Sequence, residues 1–229
     1  MAVTDQAILA IKQMIIDGEL RPGDRLPPEK QLSERLGLSR NSLREAVKAL
    51  EVIRVLDVRQ GDGTYVTSLD PQLLLEVLGF VLDLGQDHSV LDTLAVRRML
   101  EPSATALASQ RIDDGELDSL STLMAGLTPE SEVGDLVAAD LEFHRTINRA
   151  SGNPYLSSLL ESLANTTVRA RVWRGHTQQG SVGRTIDEHR EIIRALRDRD
   201  AERARSWADI HVAGVELWLA AAAAPEIDQ

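Results

Sequence analysis

Apolar side chains recur at helical spacing along most of this chain, and the interruptions are short and marked by glycine and proline. Between Thr4 and Asp17, the residues Ile8, Ile11, Ile15 and Ile16 fall on one helical face with Leu9 beside them, and Gly18 ends the run. Glu19 to Pro28 reads as a loop, because Pro22-Gly23 forms a turn and Pro27-Pro28 excludes a helix interior. Helix resumes with Leu32 and Leu36 facing inward and breaks at Gly37. Ser39 suits the N-cap of a further helix from Arg40 to Val52, whose core face is Leu43, Ala46, Val47 and Leu50. After Ile53 the pattern changes to strand. Val55–Val58 and Thr64–Thr67 are β-prone, and the stretch Arg59–Gly63 carries the glycines of a hairpin turn. Three helices followed by a two-stranded wing predict a winged helix-turn-helix.

Asp70-Pro71 marks a hinge, so the expected domains are residues 1–69 and 70–229. Beyond it the helical period persists near 71–84, 90–109, 113–125, 130–150, 154–174, 181–198 and 201–222. Gly85, Gly115, Pro129, Gly152-Asn153-Pro154 and Gly175 punctuate these segments. Seven helices of such lengths predict an all-α antiparallel bundle, and the whole chain a mainly α protein. Ala220 to Ala224 reads as the fraying end of the last helix.

Composition changes this picture at two points. The net charge of −11 over 229 residues looks wrong for a nucleic-acid binder, yet the first 67 residues hold ten basic and ten acidic side chains. The acidic excess therefore lies in the second half, and phosphate affinity depends on where the positive charge sits. The absence of cysteine excludes disulfides and thiolate metal sites, so a metal must be held by histidine and carboxylate. Met1 to Ala10 lacks the pattern of a signal peptide, and no stretch approaches the roughly 18 apolar residues of a membrane helix. A cytoplasmic protein is expected.

In a helix-turn-helix, the N-terminal end of the second helix enters the major groove. Here that end carries Ser39, Arg40, Asn41, Ser42 and Arg44, with Arg40 and Arg44 four apart on one face. Arginine can fork onto guanine and asparagine can pair with adenine, while hydroxyls reach phosphates or bases. Lys30 would lie near the backbone phosphates, and Gln60 and Gly61 would form a wing tip small enough for the minor groove. The plainer reading makes Arg40, Arg44 and Lys48 a solvated face partly neutralised by Glu45.

The run Gly18 to Glu51, followed by Gly61-Asp62-Gly63-Thr64-Tyr65-Val66, resembles the GntR family of bacterial regulators. The likeness includes the loop, Leu26-Pro27, Ser39-Arg40-Asn41-Ser42-Leu43-Arg44 and the glycine wing. It implies DNA contacts from Lys30, Ser39, Arg40, Asn41, Arg44, Gln60 and Gly61. Arginine is common in the family where Lys30 stands, and Asp62 puts an acid beside the wing tip.

Asp140 and His144 are four apart on one helix, and His189 and His211 lie on two later ones. Three imidazoles and a carboxylate with open positions suit zinc, nickel, manganese or iron, although a helical histidine is more often a surface or core residue. His88 and His176 fall in expected loops and read as solvated, and Trp173, Trp207 and Trp218 as packing or interface residues. Asp140, His144, Ile147, Asn153-Pro154, His189 and His211 together resemble the FadR-type subgroup, whose helical effector domain is called FCD. In metal-binding members the matching Asp and three His hold a divalent metal that helps bind a carboxylate effector. Other members work without it. Arg97 matches an arginine of the effector pocket, where a guanidinium pairs a carboxylate. A bond to Glu101 four residues on is the structural alternative, Arg98 is the other choice of residue, and Arg169 and Arg171 are further candidates.

The resemblance thus implies a homodimeric, ligand-responsive regulator on a two-fold symmetric DNA operator. Its effector would be a small organic acid, and repression relieved by effector is the family's usual outcome. An enzyme built on the same metal is disfavoured: Glu142 falls on the opposite side of its helix, and Glu188 should point away from His189.

Overall fold

The computed structural model describes residues 3–73, 75 and 88–224. Two compact units emerge, Met1–Val77 and Leu78–Gln229.

The first unit runs α1 (Val3–Ile16), α2 (Glu29–Leu36), α3 (Arg40–Val52), β1 (Leu56–Arg59) and β2 (Gly63–Val66). Its core is Ile11, Met14, Leu20, Leu26, Leu32, Leu43, Leu50, Leu56 and Val66. On α1 the buried stripe is Ala7, Ile11 and Met14, whereas Leu9 and Ile16 are exposed. Ile16 was expected on the inner face, but it lies five positions from Ile11 and so about 140° round the helix. α2 ends at Gly37, whose left-handed φ of 65° favours glycine, and the Leu38 amide donates back to the Ser33 carbonyl at 3.0 Å. The Ser39 hydroxyl then accepts from the Ser42 amide at 3.1 Å and caps α3. Two caps two residues apart fix the turn of the helix-turn-helix. The wing is antiparallel, pairing Leu56 with Val66 and Arg59 with Gly63, about one residue out of phase with the expected strands.

The second unit holds α4 (His88–Ala108), α5 (Asp114–Ala125), α6 (Val133–Ala150), α7 (Pro154–Thr166), α8 (Val168–Thr177), α9 (Ser181–Arg197) and α10 (Ala201–Ala223). Of the helix expected near 71–84, residues 71–73 and Leu75 are helical and the rest lies outside the described residues. Ile112, Leu120, Met124, Phe143, Ile147, Ile186, Ile192 and Leu196 form the centre of the bundle core. The segment 154–174 was expected as one helix ending at Gly175; instead the chain breaks at Thr167 and stays helical through Gly175. Thr167 is fully buried, donates to the Ala164 carbonyl and accepts from Arg97 at 2.6 Å, so tertiary bonds set the break. Gly175 serves packing, since a Cβ there would come within 2.5 Å of Val133 Cγ1.

Candidate functional site

In the first unit, Lys30, Ser39, Arg40, Asn41, Arg44, Gln60 and Gly61 are all exposed. The cap at Ser39 and the core residues Leu43, Ala46 and Leu50 leave Arg40, Asn41 and Arg44 on the outer face of α3. Arg44 Nε donates to both carboxylate oxygens of Glu29, at 2.9 and 3.0 Å, so it is held across the gap between α2 and α3. Gly61 turns the wing with a φ of 76°. Asp62, the acid beside that tip, accepts from Tyr65 Oη at 2.9 Å and forms an ion pair with Arg25. Its charge is therefore partly met by a neighbour. Arg59 lies 4.2 Å over the Tyr65 ring and braces the wing from the other side.

In the second unit, Asp140, His144, His189 and His211 come together, all buried, with one donor atom from each within 4.8 Å of the others. One turn of α6 puts Asp140 and His144 on the same inward face, while α9 and α10 bring the other two. Nε2 of His144 lies 3.1 Å from Nε2 of His211. Asp140 Oδ1 stands 3.6 Å from His144 Nε2, 3.3 Å from His189 Nε2 and 3.4 Å from His211 Nε2. Donors that share one ion at about 2.1 Å are roughly 3.0–3.4 Å from each other, and three of these four distances fall in that range, so the group could hold a divalent metal with a small inward shift of its widest pair. Its chemistry agrees, because three ring nitrogens face inward with a carboxylate among them, and His189 Nε2 has no hydrogen-bond partner among the described residues.

A second layer stands behind the donors. His211 Nδ1 is 3.0 Å from Glu188 Oε2, and His144 Nδ1 is 3.4 Å from Glu101 Oε2. A carboxylate placed as Glu188 is fixes a ligating imidazole and raises its basicity, whereas Glu101 Oε2 approaches His144 without a hydrogen bond. Arg97 Nε donates to Glu101 at 2.6 Å and Arg97 Nη1 to Thr167 Oγ1 at 2.6 Å. Arg97, expected in the effector pocket, is thus buried in a brace behind His144. Arg98 is half-exposed and pairs with Asp209 and Glu216. Arg171 bonds the other oxygen of Asp140.

These contacts set the protonation of the site. Burial opposes the charged form of Asp140, but Arg171 and the histidines outweigh it and hold the carboxyl well below its usual range. Burial, reinforced by His211, pushes His189 down to about 3. Burial also acts against a charged His211, yet Asp140 and Glu188 raise it to about 9.

Sequence reasoning named these four residues and offered the Arg97–Glu101 bond as an alternative, which the structure shows, but it did not place Glu101 behind His144 or Glu188 behind His211. Glu188 points away from His189 as expected, but onto His211, which a reading confined to one helix does not reveal. Glu142 is exposed and pairs with Arg145 at 2.7 Å, away from the site. Trp173 and Trp218 pack edge to face at 4.8 Å.

Two protein families match this chain. "Bacterial regulatory proteins, gntR family" matches residues 3–66, and "FCD domain" matches residues 92–214. The chain belongs to the GntR family. It is a DNA-binding transcription regulator with an FCD effector domain. The HTH-type transcriptional regulator LutR of Bacillus subtilis is 30% identical over 211 residues, covering 89% of this chain and 94% of that protein. The galactonate operon transcriptional repressor of Escherichia coli is 25% identical over 207 residues, covering 88% and 90%. A solved Streptococcus agalactiae GntR structure superposes with a TM-score of 0.68 at 29% identity, over 94% of this chain and 99% of that one. These relatives are regulators rather than enzymes; in this chain Glu142 is paired with Arg145 and Glu188 with His211. Among the described residues, no helix is long and apolar enough to cross a membrane.

Proposed function

We propose that this GntR regulator senses a small organic acid through a divalent metal held by Asp140, His144, His189 and His211. The observation that carries the reading is the convergence of four buried donors at metal-ligand spacing, backed by Glu101 and Glu188. A set of three imidazoles and one carboxylate favours zinc, and also suits nickel, manganese or iron. A bound metal would supply a positive charge and open positions for a carboxylate. The galactonate repressor among the relatives is named for a hydroxy acid, and such acids offer a carboxylate and a neighbouring hydroxyl to one ion.

On the DNA side, Arg40, Asn41 and Arg44 read base edges, Ser39 and Lys30 hold phosphates, and Gln60 and Gly61 enter the minor groove. The protein acts in the cytoplasm as a homodimer on a two-fold symmetric operator, since an isologous dimer matches a palindromic site. Effector binding shifts the balance between arrangements of the two DNA-binding domains, and repression is relieved. The test is binding of the zinc-loaded protein to DNA from its own promoter region, followed by fluorescence anisotropy. Sequence-dependent binding, weakened by a hydroxy acid and much reduced in Arg44→Ala, is expected. Equal affinity for promoter and unrelated DNA overturns the reading.

A further inference from the structure

The segment before α2, expected as a plain loop, is stitched to the wing. Gly23 N donates to the Val66 carbonyl at 2.9 Å, Val66 N to the Asp24 carbonyl at 2.9 Å and Leu26 N to the Thr64 carbonyl at 2.8 Å. Arg25 forms an antiparallel bridge with Tyr65 between them. This pairing sends the Arg25 side chain across β2 towards the wing tip. The guanidinium passes Gly63, where any Cβ would collide with Arg25 Nε. Gly63 has no left-handed φ to account for it, so the glycine serves this close approach. Arg25 Nη2 donates to the Asp62 carbonyl, and Nη1 lies 3.9 Å from the Asp62 carboxylate. The cation is thus held beside Gly61, the residue that turns the tip. Its side chain stays 59% exposed, and a guanidinium with five N–H groups keeps donors for a further partner.

An acid at the tip works against DNA binding, because phosphates line both sides of the minor groove. Arg25 cancels the charge of Asp62 where Gln60 and Gly61 would enter. The other cation of the hairpin folds back from the tip: Arg59 Nε donates to Asp57 at 3.0 Å, and its guanidinium covers the Tyr65 ring. We infer that Arg25 is a DNA contact of the wing, meeting a backbone phosphate at the edge of the groove, with Asp62 as the residue that aims it. The inference rests on the placement of Gln60 and Gly61 in the minor groove proposed above.

Fluorescence anisotropy tests it with two labelled duplexes of equal length, one from the promoter region and one of unrelated sequence. Full-length wild type, Arg25→Gln, Arg25→Lys and Gln60→Ala are titrated over a range of chloride concentrations. One phosphate contact adds about 0.9 to the slope of log affinity against log salt. Arg25→Gln therefore flattens the slope by about 0.9 and weakens binding about eightfold at 0.1 M salt, by the same factor on both duplexes. Arg25→Lys keeps the charge and retains the wild-type slope. Gln60→Ala weakens binding without changing the slope, because the tip it alters is neutral at that residue. A wild-type slope in Arg25→Gln, or a loss confined to the promoter duplex, overturns the proposal. Weaker binding by Gln60→Ala beside an unchanged Arg25→Gln overturns the role of Arg25 alone, and full-strength binding by both overturns the placement of the wing as well.

Discussion

Zinc binding at neutral pH expels close to one proton from this site. A ligating imidazole must give up the proton on its coordinating nitrogen. His189, pushed down to about 3 by burial and by His211, is already neutral and costs nothing. His211 is held up at about 9, because Asp140 and Glu188 outweigh its burial, and its Nε2 proton faces His144 Nε2 at 3.1 Å. At pH 7 the metal competes with that proton across two pH units, which lowers apparent affinity roughly 100-fold, or about 2.7 kcal/mol. Affinity therefore rises about tenfold per pH unit from 7 to 9 and flattens above. The assay is calorimetric titration of zinc into the chelator-stripped protein, repeated in buffers of different ionisation enthalpy. The slope of observed against ionisation enthalpy counts protons. A slope of about one at pH 7, falling to about half at pH 9, is expected. A slope near zero at pH 7 refutes the placement of the proton on His211.

The metal-free protein is most stable near pH 6.5, the ordinary histidine value, because the two shifts act in opposite directions. The raised His211 stabilises fully below 6.5 and loses its contribution as pH climbs towards about 9, whereas the lowered His189 stabilises fully above 6.5 and loses it as pH falls towards about 3. Each slope is about 1.4 kcal/mol per pH unit, and a thermal midpoint that climbs steadily from pH 6 to 9 in chelator contradicts it. Glu188→Gln keeps an acceptor for His211 but removes the charge, so above pH 9, where the His211 proton no longer competes, zinc affinity drops about 10–100-fold in competition with a chromophoric chelator. Unchanged affinity in that variant means Glu188 does not support the ligand.

The winged helix-turn-helix was legible because its boundaries are written in local chemistry. Gly37 takes the left-handed backbone that ends α2, Ser39 caps α3, and Pro27-Pro28 excludes helix before Glu29. The donors on α6 were legible from their one-turn spacing, and His189 and His211 from family resemblance. What escaped is whatever depends on a partner far along the chain. Thr167 breaks a helix with no glycine or proline to announce it, because its partner Arg97 is 70 residues away. Glu188 reaches a histidine 23 residues on, and Arg25 reaches the wing tip 37 residues on. Periodicity assigns each side chain to a face. It does not say which other helix that face meets.

The claim at the centre is that Asp140, His144, His189 and His211 hold a metal in this regulator. Metal analysis of purified wild-type protein beside His144→Ala and His189→Ala tests it most directly. About one divalent ion per chain in wild type, lost from both variants while their helical signal persists, is the predicted result. Metal-free wild type even after reloading with zinc, or a variant that retains a full equivalent, contradicts it and points to an effector that binds the FCD domain without metal.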